Sequence, residues 1–182
     1  MRRFQMPAFP QLAQRQPAAP PLARFSEAQA VAATRYLDDM RRELGRVDNW
    51  LEWLDEDKRK GEEGTYARHL LHASDDGAFA MMFLVWRPGQ FSPVHGHKTW
   101  CVYKVLAGEL TEEFYACAAS GGVRRTGQRA RRPGDVTTAS AGISQIHRLG
   151  NGGEDVAISL HVYGVRAAEI STGVNIVMNE LS

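Results

Sequence analysis

After Tyr66 the chain is cut at short intervals by turn signals: Asp75-Asp76-Gly77, Pro88-Gly89, Ala107-Gly108, Ser120-Gly121-Gly122, Pro133-Gly134-Asp135 and Asn151-Gly152-Gly153. The runs between them are rich in β-branched, aromatic and aliphatic residues and too short for stable helices, so they read as antiparallel strands joined by tight turns. The predicted strands are Thr65 to His72, Ala78 to Trp86, Thr99 to Leu106, Leu110 to Ala116, Val136 to Ala139, Ile146 to Leu149 and Val156 to Tyr163, with a last one at Asn175 to Met178. So many short strands predict a mostly β fold, either a sandwich or a jelly-roll barrel. No internal repeat is visible.

The first part of the chain is different. Residues 1–24 are rich in Pro, Gln and Ala, which predicts an extended or disordered arm outside the core. Ser26 followed by Gln29 resembles a capping box. Ala32, Tyr36, Leu37, Met40, Leu44 and Val47 then recur at helical spacing, which predicts an amphipathic helix. Trp50, Leu51, Trp53 and Leu54 suggest a second, short helix, and the charged run Lys58 to Glu63 reads as a loop. A chain of 182 residues suits one core. The expected organisation is therefore an arm over 1–24 and a single domain over 25–182, with helices at about 26–56 and a barrel at about 65–180.

Several function classes drop out on composition. A net charge of +1 creates no field for a polyanion, so nucleic acid is not an expected partner. No apolar stretch of about 18 residues exists to span a membrane, and the N-terminal region has no continuous apolar segment of the secretory type. A cytosolic location follows as the expectation, with Cys101 and Cys117 as free thiols. The run Arg124, Arg125, Arg129, Arg131 and Arg132 reads as a hairpin with Gly127 inside it, a solvated edge that discourages strand addition.

His95 and His97 are separated by one residue, so in an extended segment both rings leave the same face. His147 lies in a later strand, and in a barrel it can face the same interior. Three neutral imidazoles suit Fe, Zn, Cu or Ni, and ligand type alone does not choose among them. An isolated H-x-H pair is more often a surface or hydrogen-bonded pair. The surrounding spacing changes that reading. Gly89, five residues, His95, one residue, His97, three residues, Cys101, six residues and Gly108 is similar to the first cupin motif. Gly134, Gly142, His147 and Asn151 resemble the second, with two additional residues between Gly142 and His147. Where most cupins have a metal-binding glutamate, this chain has Cys101, which leaves three imidazoles and no protein anion among the ligands.

Further segments extend the likeness. Tyr66-Ala67-Arg68, Ser92-Pro93-Val94-His95-Gly96-His97, Lys104 to Leu110, Ile146-His147-Arg148 and Ser159-Leu160-His161-Val162-Tyr163 together resemble the thiol dioxygenase family, typified by cysteine dioxygenase. The resemblance implies a cupin jelly-roll (double-stranded β-helix) barrel and Fe(II) on His95, His97 and His147. It implies a small thiol and O2 as partners, a sulfinate as product with both oxygen atoms from O2, and a monomer. It also implies a hydrogen-bonded relay of Ser159, His161 and Tyr163, and an Arg68 that binds the substrate carboxylate with Tyr66 beside it. An amphipathic strand with an ordinary polar face is the plain alternative for the relay. Cys101 stands where animal members carry a cysteine joined to the relay tyrosine, so the resemblance allows a Cys101–Tyr163 thioether; simple packing of a buried thiol is the alternative.

Gly96 stands where many relatives have aspartate, and Gly164 follows Tyr163 as in bacterial members, some of which prefer 3-mercaptopropionate. L-cysteine is therefore the first expected substrate and 3-mercaptopropionate the second. Arg166 is either a second carboxylate anchor or a solvated turn residue. His69 and His72 read as structural, and Met81, Met82, Trp86 and Trp100 as core or cavity wall. From other classes, a dioxygenase acting on carbon and a cupin that binds a ligand or metal without turnover remain as rivals. The relay together with Arg68 argues against both.

Overall fold

The computed structural model describes residues 22–181. A long helix α1 (Leu22–Arg46) is followed by two short 3-10 turns, Trp50–Trp53 and Glu56–Lys60. The strands are β1 (Ala67–Ala73), β2 (Ala80–Trp86), β3 (His95–His97), β4 (Cys101–Ala107), β5 (Leu110–Cys117), β6 (Val123–Arg131), β7 (Val136–Ala139), β8 (Gly142–Gly150) and β9 (Ala157–Tyr163). A 3-10 turn at Ala167–Glu169 runs into the short helix α2 (Ile170–Gly173), and β10 (Asn175–Val177) follows.

Two five-stranded sheets result, in the orders β1-β2-β9-β4-β7 and β10-β3-β8-β5-β6, with antiparallel pairing throughout. This is the expected mostly β jelly-roll, with one difference. The sheets pack face to face, and no hydrogen-bonded strand pair joins them into a closed barrel. Two of the turn signals that set this topology share a mechanism. Arg87-Pro88-Gly89-Gln90 and Arg132-Pro133-Gly134-Asp135 each close an i to i+3 hydrogen bond, at 3.1 and 2.9 Å, with glycine at φ +80° and +94°. Proline pre-sets the first central position of such a turn, and the positive φ at the second favours glycine.

Period-two alternation in the first sheet separates two cores. Phe83, Val85, Val102, Ile158, Leu160 and Val162 face Leu37 and Leu44 of α1. Met82, Leu84, Trp86, Tyr103 and Val105 face inward, where Leu110 and Leu149 of the second sheet meet them. β2 is central and covered on both sides, which is why Ala80–Trp86 is apolar almost without interruption. Each fully buried aliphatic or aromatic side chain contributes roughly 1.5–3 kcal/mol. Lys104 is a polar exception on the outer face. Its ammonium is buried and donates to the carbonyls of Gly45 (3.1 Å) and Val47 (2.7 Å), with Asp48 at 3.3 Å. The end of α1, where carbonyls lack intrahelical partners, is thereby capped by a strand residue.

Several expectations need correction. The helix already includes Leu22, so Leu22–Arg24 of the predicted arm are helical; residues 1–21 lie outside the described residues. Ser26 is not a cap but sits one turn inside α1, donating to the Leu22 carbonyl at 3.3 Å. Part of the charged run after Trp53 is the second 3-10 turn rather than loop. Val123–Arg131 is one continuous edge strand, and the hairpin turn lies before it at Ala118–Gly122. Gly127 lies opposite Phe114, beside the bulge left by Thr126.

Candidate metal centre and its cavity

β3 and β8 run antiparallel with His95 opposite His147 and His97 opposite Gly142. One residue of β3, Gly96, thus faces four of β8, and the additional residues between Gly142 and His147 are taken up by this bulge. A Cβ on Gly96 would stand 2.8 Å from the Gly142 carbonyl oxygen, so the close approach of β8 leaves no room for the aspartate common in relatives.

The three rings converge. One ligand nitrogen from each of His95, His97 and His147 lies within 4.8 Å of the others, and the ring centroids are 4.6–5.3 Å apart. His95 Nδ1 is 2.8 Å from the Pro93 carbonyl and His147 Nδ1 is 2.7 Å from Glu112 Oε1. As donors, these Nδ1–H groups leave both Nε2 lone pairs free for the centre. His97 Nδ1 is buried with no partner at hydrogen-bond geometry. Burial, with the His147 ring second, holds the His95 pKa down at about 3 and that of His97 at about 4, so both are neutral near pH 7. One ring nitrogen from each histidine is aimed at a common point, which a divalent ion of borderline softness can fill. The donor set therefore fits a metal.

β9 carries the next layer. Trp86 Nε1–H donates to Ser159 Oγ at 3.0 Å, Ser159 Oγ lies 2.9 Å from His161 Nε2, and His161 Nδ1 lies 3.1 Å from Tyr163 Oη. With Ser159 donating to His161 and His161 donating to Tyr163, the row leaves the tyrosine proton free to point into the cavity. Burial lowers the His161 pKa to about 3 and raises those of Tyr163 and Cys101 far above their ordinary values. The relay is thus uncharged near neutral pH. Cys101 is paired with Tyr163 across β4 and β9, and its Sγ lies 3.9 Å from the same His161 nitrogen that Tyr163 meets.

One small cavity is lined by all three imidazoles, Cys101, His161, Tyr163, Tyr66 and Arg68. Tyr66 lies just before β1 and stacks on Trp86 at 4.2 Å, and an Arg68 Nη donates to its hydroxyl. Met82 and Trp86 are cavity wall. Met81 packs on the outer core, and Trp100 packs edge-on against Tyr36 of α1 at 5.2 Å. Arg166 is not in the lining; its side chain lies over Gly77 in the β1–β2 turn. Neither His69 nor His72 reaches the cavity. Asn151, at the end of the second motif, is fully buried, and its amide bridges the Trp86 and Asp155 carbonyls.

Ile170, Val174 and Asn175 line the cavity and were not anticipated: no periodic signal marks the short helix that carries Ile170 and leads into Val174, and the strand predicted from Asn175 gave no sign of which cavity its first residue meets. Glu112 and Arg131 were also missed. Glu112 is 3% exposed, contacts His147 through one oxygen and accepts from Arg131 Nε through the other at 2.6 Å. Burial opposes its charge, and hydrogen bonds from His147 and Arg131 more than offset this, leaving its pKa below the usual carboxylate value. Arg131, read from sequence as part of a solvated edge, has a side chain only 13% exposed.

Residues 47–170, well over half of the chain, match the model of one family, cysteine dioxygenase type I. The chain belongs to that family. Its fold is mostly β, two antiparallel sheets preceded by a helix. Solved structures similar to it include a protein from Thermus thermophilus, at 23% identity and TM-score 0.47, covering 63% of this chain and 98% of that one. A Klebsiella pneumoniae protein with a double-stranded β-helix domain matches at 16% identity and TM-score 0.48, covering 74% and 97%. An oxalate oxidase matches at 19% identity and TM-score 0.44, covering 58% and 54%.

Proposed function

We propose that this member of the cysteine dioxygenase type I family is an Fe(II)-dependent thiol dioxygenase that oxidises L-cysteine to cysteine sulfinate. The observation that carries the reading is one cavity lined at once by the three imidazoles, the Tyr163 end of the hydrogen-bonded row, and the Arg68–Tyr66 pair. The overall conversion joins one thiol and one O2 into one sulfinic acid. Sulfur loses the four electrons that dioxygen gains, so no other reductant is needed.

Fe(II) held by His95, His97 and His147 would supply the redox chemistry and lower the pKa of a substrate thiol. The chain's own residues do the rest. Arg68 offers a permanently charged fork for the substrate carboxylate, and Tyr66 adds its hydroxyl, held by Arg68 and by stacking on Trp86. Tyr163 keeps its proton at Oη and presents it to the reacting groups, with His161 and Ser159 fixing its orientation. Met82, Leu84, Leu149, Ile170 and Val174 form apolar walls that exclude water. The substrate class, small and anionic at one end, suits a cytosolic enzyme acting on a free amino thiol.

The test is to load metal-free protein with Fe(II) under nitrogen, admit air with L-cysteine or 3-mercaptopropionate, and follow oxygen uptake with sulfinate by mass spectrometry. Oxygen uptake matched by sulfinate, faster with L-cysteine, is expected. A faster rate with 3-mercaptopropionate would reverse the substrate assignment; uptake with neither would leave a metal-binding cupin without this activity. Arg68→Ala should raise KM about tenfold or more at unchanged iron content.

A further inference from the structure

Glu112 lies behind the metal centre, outside the cavity that receives substrate. β6, β5 and β8 run side by side; Glu112 is opposite Arg129 and Leu149, and Arg131 and His147, each two residues along its strand from those positions, reach it diagonally on the same face. Both Arg131 contacts go to Glu112 Oε2, from Nε at 2.6 Å and Nη2 at 2.5 Å. Oε1 is left to His147 Nδ1 at 2.7 Å. The guanidinium thus fixes the carboxylate from the far side, and the oxygen facing His147 cannot rotate away.

We propose that Glu112, clamped by Arg131, is a positioning residue that supplies the metal centre, through His147, with the negative charge its direct ligands lack. The inference rests on the reading of His95, His97 and His147 as metal ligands and extends it to the residues behind them. Of the three rings, His95 meets the Pro93 carbonyl and His97 has only the neutral Gln145 backbone nearby, so Glu112 is the anionic partner of the set among the described residues. A carboxylate on Nδ1–H turns Nε2 toward the ion, fixes the tautomer and increases the electron density the ring donates.

Neighbouring Glu113 makes the contrast. It pairs with Arg148 and Arg125, whose side chains are 33% and 44% exposed, and touches no ligand. A buried pair such as Glu112–Arg131 is expensive to desolvate and is a poor choice for stability alone. Its orientation toward a ligand nitrogen is the feature that apolar packing would not reproduce.

The experiment measures Fe(II) affinity by anaerobic chelator competition, and the Fe(III)/Fe(II) midpoint by spectroelectrochemistry, in wild type, Glu112→Gln, Glu112→Asp and the double variant Glu112→Gln/Arg131→Gln. In Glu112→Gln one acceptor oxygen is left for the donors of both Arg131 and His147, so the charge is isolated in the double variant, where the guanidinium is removed and that oxygen can accept from His147. The double variant exchanges an ion pair for two neutral amides and keeps the fold testable if the single one fails. Expected are Fe(II) binding weaker by about 10–100-fold and a higher midpoint in both glutamine variants, with the midpoint retained in Glu112→Asp. Unchanged affinity and midpoint in a folded glutamine variant would overturn the inference, as would weaker binding at an unchanged midpoint, which would leave only shape. Iron binding that depends on Glu112 in a protein that oxidises neither thiol would support this inference while removing the proposed reaction. A wild type that binds no iron would remove both.

Discussion

Along β9, Ile158, Leu160 and Val162 face α1 while Ser159, His161 and Tyr163 face the cavity. The same alternation runs through β2 and β4, so one sheet has an apolar face that stabilises the domain and a chemically equipped face that binds. On the outer face the buried Lys104 ammonium is spent on the end of α1, and His69 Nε2 is buried without a hydrogen-bond partner. The inner face sets His161 between the Ser159 and Tyr163 hydroxyls at hydrogen-bond distance and turns three imidazoles toward one point. Period two thus lets stability and chemistry occupy adjacent residues, each substitutable with limited effect on the other.

His147→Ala should separate the faces most sharply. Metal content should fall to background and thiol oxidation with it, by metal analysis and oxygen uptake, while far-UV circular dichroism is retained. Loss of the fold would instead make the inner face structural. Leu160→Ala, on the outer face and fully buried, should cost about 2–5 kcal/mol in denaturant unfolding while iron per folded molecule stays unchanged. Tyr163→Phe should lower kcat by about 10²-fold at unchanged iron content, because it removes one hydroxyl from the end of the row.

Acid should act on the buried histidines of the inner face. His95, His97 and His161 have folded pKa values of about 3 to 4, below the ordinary histidine value, so below about pH 6.5 the unfolded chain takes up protons that the folded chain refuses. Stability of the metal-free protein is therefore full above about pH 6.5 and falls toward pH 3, by roughly 1.4 kcal/mol per pH unit for each histidine kept neutral. Unfolding midpoints across that range check it, and replacing His161 with Gln should shallow the slope. Smallest in energy is the thioether. Iron-loaded protein turned over with thiol should yield, on peptide mapping, a species joining Cys101 to Tyr163 that lacks two hydrogens, and Cys101→Ala should abolish it.

The alternation that builds these faces was readable in advance, and so was the cluster of three histidines that could hold a metal. His95 and His97 lie two apart, and Ser159, His161 and Tyr163 repeat at the same interval, so local geometry orients each set before any tertiary contact forms. β3 and β6 were not read as strands for physical reasons. His95–His97 is only three residues long, and Val123–Arg131 is too polar to resemble anything but a loop or a hairpin until its partner β5 is in place. The start of α1 was misplaced because Ser26 and Gln29 fit a capping pattern that a helix interior can also contain.

Glu112 and Arg131 show where local reading stops. From the chain alone Glu112 is half of a Glu-Glu pair in a strand and Arg131 one of several arginines in a basic run. Their meeting with His147 depends on the order β6-β5-β8 in the second sheet, which joins segments 19 and 35 residues apart. Sequence by itself determined what each strand presents on its two sides, because side-chain direction follows from a two-residue repeat. Tertiary structure alone decided which sides meet and which charge stands behind which ligand, because pairing order and register are set by packing over the whole domain.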